Sequence, residues 1–174
     1  MIYIDRNETW ELLNFLESGW ILEHSTLCLK QVILYNQKEM EIKKIIIPKK
    51  DFWDDWSLTF FEGNNHIPFE IKRVYYIFGV NNPECIRWRH AHYETDQVMF
   101  VLKWSLRMIF DDWYEKQEIV LNKPNEWLLI PKMMRHTMDQ FTEDCIALVV
   151  ASSTYDEKDY IRNYEDFLNA KWIK

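Results

Sequence analysis

Glycine is scarce in this chain: there are three glycines in 174 residues, against nine tryptophans, where glycine normally makes up about 7% of a protein. That inversion removes the usual supply of residues for turns with positive φ. Cysteine is sparse as well. Cys28, Cys85 and Cys145 are scattered with no Cys-x-x-Cys spacing, which argues against both a disulfide framework and a zinc-thiolate site. They read as reduced structural thiols. No apolar run approaches the roughly 18 to 20 residues of a membrane span, and the start, Met1 to Arg6, lacks the basic-then-apolar order of a signal peptide. The expectation is a cytoplasmic protein with no membrane partner. Basic excess is missing too: the formal net charge of -7 disfavours nucleic-acid binding, while Lys72 with Arg73, Arg87 with Arg89, and Lys132 with Arg135 leave places for a small anionic ligand. Repeats, low-complexity tracts and Pro/Gly/Ser linkers are absent.

What is present is the balance of one globular domain, 48% hydrophobic and 28% charged. Glu8 to Ser18 places Trp10, Leu12, Leu13, Phe15 and Leu16 as an amphipathic helix stopped by Gly19. From residue 40 onward, short apolar segments recur between turn signals: 42–47, 58–61, 73–78, 98–102, 106–110, 119–121, 127–130 and 146–151. Some eight short strands at that spacing indicate an all-β sandwich or barrel. The stretch Tyr155 to Leu168, acidic at its start and apolar at Tyr160, Ile161, Tyr164, Phe167 and Leu168, reads as a C-terminal helix docked on the barrel. The expected division is an extension at 1–40, of unknown role, and a domain at 41–174.

The run Arg87-Trp88-Arg89-His90-Ala91-His92 lies between two strand-like segments. On a strand, His-x-His points both imidazoles to one side. In the cupin pattern such a pair is followed by Glu, then Gly, then a second motif containing Pro, Gly, His and Asn. Here Gln97 stands where Glu would fall and Trp104 where Gly would fall, with Pro131, Met133, His136 and Gln140 later. The chain resembles cupins in an eroded form. Replacement of Glu by Gln removes the anion a metal would want, so no metal is expected. His24, His66 and His136, each alone, also fit structural positions.

A closer resemblance rests on 58–63, 67–77, Arg87 to His92, Leu121-Asn122-Lys123-Pro124 and the run Tyr155-Asp156-Glu157-Lys158-Asp159-Tyr160-Ile161-Arg162-Asn163-Tyr164. Across residues 41 to 169 the chain resembles the sugar 3,4-ketoisomerases, the WxcM-like cupins acting on dTDP-4-dehydro-6-deoxyglucose. The resemblance implies a cupin jelly-roll barrel, an isomerase without cofactor, a dTDP-linked 4-keto-6-deoxyhexose as substrate, a homodimer, and a place in deoxysugar supply for a surface glycan such as O-antigen. Its chemistry is removal of the C3 proton beside the 4-keto group and reprotonation at C4. Imidazole titrates near neutrality and suits that transfer. His92 is the expected base, with His90 orienting the sugar or sharing the proton. Tyr75 or Tyr76 would donate to the keto oxygen; the sequence leaves open which of the two faces inward. Arg73 and Arg87 suit the diphosphate, because a guanidinium fork matches phosphate oxygens. Gln97 and His136 complete the candidate substrate contacts. The rival readings are a 3,5-epimerase on a related barrel and a sugar-nucleotide-binding module without catalysis.

Trp56, Trp88, Trp104, Trp113 and Trp127 stand where the family carries turn glycines. Asp112-Trp113 occupies the place of an Asp-Gly hairpin, whose positive φ a bulky side chain resists. The expectation is that these codons are UGA, read as glycine in some bacterial lineages and translated here as tryptophan.

Overall fold

The computed structural model describes residues 42–52, 56–80, 82 and 84–172. The helix expected at Glu8 to Ser18 lies outside them. Chain contacts divide the sequence into 1–40 and 41–174, and the elements below belong to the second unit. In chain order they are β1 (Lys44–Ile46), β2 (Lys49–Phe52), β3 (Trp56–Thr59), β4 (Arg73–Ile77), β5 (Arg87–His92), β6 (Gln97–Lys103), β7 (Leu106–Asp111), β8 (Lys116–Leu121), β9 (Glu126–Ile130), β10 (Arg135–Asp139), β11 (Ile146–Ala151), β12 (Tyr160–Ile161) and α1 (Tyr164–Trp172).

Two five-stranded antiparallel sheets carry the fold, ordered β1-β9-β6-β11-β4 and β12-β5-β10-β7-β8, with β2 and β3 as a separate hairpin. This is the expected all-β jelly-roll barrel. The first sheet is covered on both faces near its centre, which explains why Gln97 through Val101 are buried without alternation. Val98 and Phe100 share one face of β6 and pack with Ile47, Ile67, Trp127 and Val150. Gln97, on the other face, looks into the barrel toward the second sheet. Trp127 is well accommodated: its ring stacks on Phe100 with centroids 4.0 Å apart, and its indole N–H donates to the Pro124 carbonyl at 2.9 Å.

The C-terminal stretch departs from expectation. Tyr155 to Leu168 is not one helix. Glu157–Asp159 is a single 3-10 turn, Tyr160 and Ile161 pair with His92 and Ala91 of β5, and α1 begins only at Tyr164. The reason is local competition. Asn163 Oδ1 accepts from the Glu165 N–H at 2.7 Å and caps α1. Upstream, the Asp159 carboxylate is drawn inward by the His92 ring at the end of β5 and by the Glu94 N–H and Thr95 hydroxyl just after it. Phe167 and Ile161 then seal this end against Ala91 and Met133.

Candidate active site

Four strands and one turn aim side chains into the barrel between the sheets. From the first sheet come Arg73 and Tyr75 on β4 and Gln97 on β6; from the second come His90 and His92 on β5 and His136 on β10. His136 lies opposite His90 in register. Between the His136/His90 and Met138/Arg87 pairs, β5 holds two residues, Trp88 and Arg89, where β10 holds one, a β-bulge. Beyond the bulge His90 and His92 face the same interior.

One ring nitrogen from each of His90, His92 and His136 lies within 4.8 Å of the others. Each Nδ1 has an acceptor behind it: the Trp88 carbonyl for His90 at 3.1 Å, the Met134 carbonyl for His136 at 3.0 Å, and the Asp159 carboxylate for His92 at 2.9 Å. The proton therefore sits on Nδ1, and each Nε2 presents a lone pair to the shared space. Burial holds all three imidazoles below their ordinary pKa. For His90, burial and then the neighbouring His92 push it to about 3. For His92, burial lowers the value while the Asp159 hydrogen bond opposes. Burial alone would raise the Asp159 carboxyl, but hydrogen bonds from Thr95, the Glu94 N–H and His92 bring it below its usual range. Asp159 is thus an anion held at fixed distance behind a neutral imidazole.

On the open side of His92, Gln97 Nε2 donates to His92 Nε2 and to the Tyr75 hydroxyl, each at 3.2 Å. Burial raises the Tyr75 phenol far above its ordinary value, which keeps it a donor. Tyr160 covers the two histidines, with ring centroids 4.4 Å from His92 and 4.9 Å from His90. Arg73 lies 5.3 Å from the Tyr75 ring and 5.7 Å from the Tyr155 ring, and its buried Nε has no hydrogen-bond partner among the described residues. Gln97 Oε1 and His136 Nε2 are likewise buried and unpartnered among the described residues. A cation, a carboxamide oxygen and an imidazole lone pair left unsatisfied together describe a site built for a polar, anionic ligand. Three imidazoles with hydrogen-bonded Nδ1 atoms also match how metal-bound histidines are held. A divalent ion here would find Gln97 in place of a carboxylate and Arg73 nearby, so the donor set lacks the anion that would offset its charge.

Of the residues singled out from sequence, His90, His92, His136, Gln97, Arg73 and Tyr75 come together. Tyr76 does not: β4 alternates, and Tyr76 is 62% exposed on the opposite face beside Phe78. Arg87 does not either; it is exposed at the outer end of β5, ahead of the bulge. Sequence reasoning missed Asp159, Tyr160 and Thr95. For Asp159 and Tyr160 the signal was the Asp-Tyr-Ile-Arg run itself, hidden by its helical periodicity; Thr95 carried none.

Trp88 intrudes on this space. Its ring lies 5.1 Å from His136, 5.8 Å from His90 and 6.1 Å from Tyr75.

Comparison with known proteins agrees with this geometry. A TDP-4-oxo-6-deoxy-alpha-D-glucose-3,4-oxoisomerase of Aneurinibacillus thermoaerophilus is 44% identical over 124 residues, which is 71% of this chain and 88% of the relative. The sugar 3,4-ketoisomerase QdtA of Thermoanaerobacterium thermosaccharolyticum, solved with TDP, superposes with TM-score 0.72 at 38% identity, covering 76% of this chain and 96% of that one. A variant of QdtA has been solved with TDP-4-keto-6-deoxyglucose, with TM-score 0.71 at 37% identity and coverage of 74% and 91%. The dTDP-4-dehydrorhamnose 3,5-epimerase of Bacillus anthracis, with TM-score 0.61 at 12% identity over 69% of this chain and 77% of that one, shares the fold alone. The family model for FdtA, described as WxcM-like, C-terminal, matches residues 36–172, and over that span the chain belongs to this family.

Proposed function

We infer that this chain is a TDP-sugar 3,4-ketoisomerase whose substrate is TDP-4-keto-6-deoxyglucose, with His92 as the base. The observation that carries the reading is the Asp159–His92 pair, which fixes an Nε2 lone pair toward the space shared with His90, His136 and Tyr75. The sugar displaces the Gln97 N–H from His92 Nε2, and that lone pair takes the C3 proton. The C3–H electron pair forms the C3=C4 double bond, and the carbonyl pair moves onto O4, where the Tyr75 hydroxyl donates to the growing charge. The imidazolium is stabilised by Asp159 at 2.9 Å. Return of the proton to C4, with the O3 proton passing to O4, leaves the carbonyl at C3. One proton leaves C3 and one enters C4, the imidazole exchanging with solvent in between, so the balance closes without an external oxidant.

His90 lies edge-on to His92, with centroids 4.9 Å apart, and orients the C3–C4 edge. Arg73 receives the diphosphate, and His136 Nε2 and Gln97 Oε1 take sugar hydroxyls. The test incubates the chain, and its Trp88→Gly variant because the indole lies against the imidazoles, with TDP-4-keto-6-deoxyglucose under NMR observation. A 3-keto isomer is expected, and His92→Asn abolishes its formation while sparing TDP binding. Unchanged turnover in that variant removes His92 from its role.

The proposal extends to a cytoplasmic homodimer supplying a deoxysugar for a surface glycan such as O-antigen. Val74 and Tyr76 on β4 and Phe78 just after it support the dimer: all are more than half exposed, and β4 is an edge strand among the described residues. A monomer in sedimentation velocity would contradict it. The glycan role is checked by deleting the gene, which should remove the derived sugar from the surface polysaccharide.

A further inference from the structure

Of the nine tryptophans, Trp10, Trp20 and Trp53 lie outside the described residues, which leaves six. Three of those six have left-handed backbones: Trp88 at φ 73, Trp104 at φ 64 and Trp113 at φ 83. An L side chain with a large Cβ substituent is the least suited to that region, which belongs to glycine and, less often, to Asn or Asp. Asn64 and Asp144, also left-handed, are of the tolerated kind. Only one of the described glycines, Gly79, uses the conformation that glycine alone adopts freely. Arg89, Met133 and Gln140 make up the rest of the left-handed set, so tryptophan, with three of the eight non-glycine members, is the residue type most often found there.

Each of the three sites shows what the position is for. Trp113 closes the β7–β8 hairpin, where the Asp111 and Asp112 carboxylates accept from the N–H groups of Trp113, Tyr114 and Glu115 at 2.8 to 3.0 Å. The turn is made by backbone and aspartate, while the half-buried Trp113 ring packs beside the Ala91, Met133, Ile161 and Phe167 cluster. Trp104 lies between β6 and β7, where the chain crosses from one sheet to the other; its side chain is 61% exposed. Trp88 is the first residue of the β5 bulge, and its ring projects among Tyr75, His90 and His136. Trp56 and Trp127 differ. Neither has a left-handed backbone; Trp56 stacks on Phe52 at 4.1 Å, and Trp127 is a core residue.

We infer that positions 88, 104 and 113 carry glycine in the functional protein, through UGA codons read as glycine, and that the missing side chain at 88 opens the hexose space in front of the three imidazoles. The first half stands on backbone geometry and composition alone. The second half rests on the ketoisomerase reading. At 88 a side chain as large as indole occupies the volume a sugar ring needs, while the bulge that carries it still delivers His90 and its carbonyl contact. Residue 88 is therefore a specificity-determining position whose required property is having no side chain.

Two independent readouts test this. Codons 88, 104 and 113 are expected to read UGA, and the intact mass of protein from its own host is expected to fall below the printed sequence by at least three tryptophan-to-glycine differences. UGG at these codons, or the printed mass, overturns the recoding. In a standard-code host, Trp104→Gly, which loses a 61% exposed ring, is expected to raise the folding equilibrium constant by roughly fivefold or more; no gain overturns the backbone argument. Trp88→Gly is expected to raise affinity for TDP-4-keto-6-deoxyglucose at least tenfold, with Trp104→Gly leaving it unchanged, and equal affinity overturns the pocket assignment. A chain that binds this sugar nucleotide more tightly as Trp88→Gly yet never isomerises it would refute the ketoisomerase reading and leave the codon and stability results standing.

Discussion

Replacing Asp159 by Asn removes a charge and leaves the shape. In the ground state His92 is neutral and its Nδ1–H meets the carboxylate at 2.9 Å; in the transition state the ring becomes an imidazolium. Two unit charges about 4 Å apart at an effective dielectric near 20 interact by about 4 kcal/mol, so Asp159→Asn is expected to lower kcat about a thousandfold. The pH profile separates this from mere loosening. The base works neutral, so the rate rises with pH through the His92 pKa. Asp159 raises that pKa against the burial that lowers it, so without the carboxylate the acid limb moves to lower pH while the plateau falls. The assay is kcat/KM against pH by NMR or a coupled reaction in the Trp88→Gly background, with TDP affinity as the folding control. A variant within about threefold of its parent, with the acid limb unmoved, would refute the coupling of Asp159 to the base.

Three further outcomes follow from the same geometry. His90 is folded neutral with its pKa depressed to about 3, so its contribution to stability is complete above the unfolded value near 6.5 and is lost as pH falls from there toward 3. At pH 5 the loss is about 2 kcal/mol from this imidazole. Urea unfolding at pH 7 and pH 5 measures it, and His90→Gln should flatten the dependence. Tyr75→Phe is expected to lower kcat on the order of a hundredfold by removing one donor to O4, while Tyr76→Phe, on the outer face, leaves it unchanged; steady-state kinetics of the two variants decide. Arg73→Gln is expected to weaken TDP roughly tenfold to a hundredfold in calorimetry, because its buried Nε has no partner among the described residues.

The sheets were legible where burial on one or both faces imposed a pattern. β11 is found at 146–151 as expected, and β6 and β7 lie within a residue of their expected bounds. β10 was missed because Arg135-His136-Thr137-Met138-Asp139 alternates imidazole and Met inward with polar residues outward, and a buried histidine does not register as apolar. The His-Ala-His pair announced the site, since pleating fixes both rings on one side whatever surrounds them. Its distant partners could not be read. Asp159 is 67 residues from His92 in sequence, and its segment has helical spacing that the carboxylate's hydrogen bonds override. The choice between Tyr75 and Tyr76 depended on the register of β4 against β11, where Tyr75 pairs with buried Val149. The tryptophan excess was visible as composition, but only backbone angles separate Trp88, Trp104 and Trp113 from Trp127, which fills a real place in the core.

The central claim is that this barrel removes the proton at C3 and reprotonates C4 of one sugar through an imidazole that exchanges with solvent between the two steps. Incubating the Trp88→Gly chain with TDP-4-keto-6-deoxyglucose in deuterated water measures it directly by NMR. The account predicts a 3-keto isomer carrying deuterium at C4 and none at C5, and no isomer with His92→Asn. Deuterium at C3 and C5 with inverted centres, or an unchanged sugar, would contradict it.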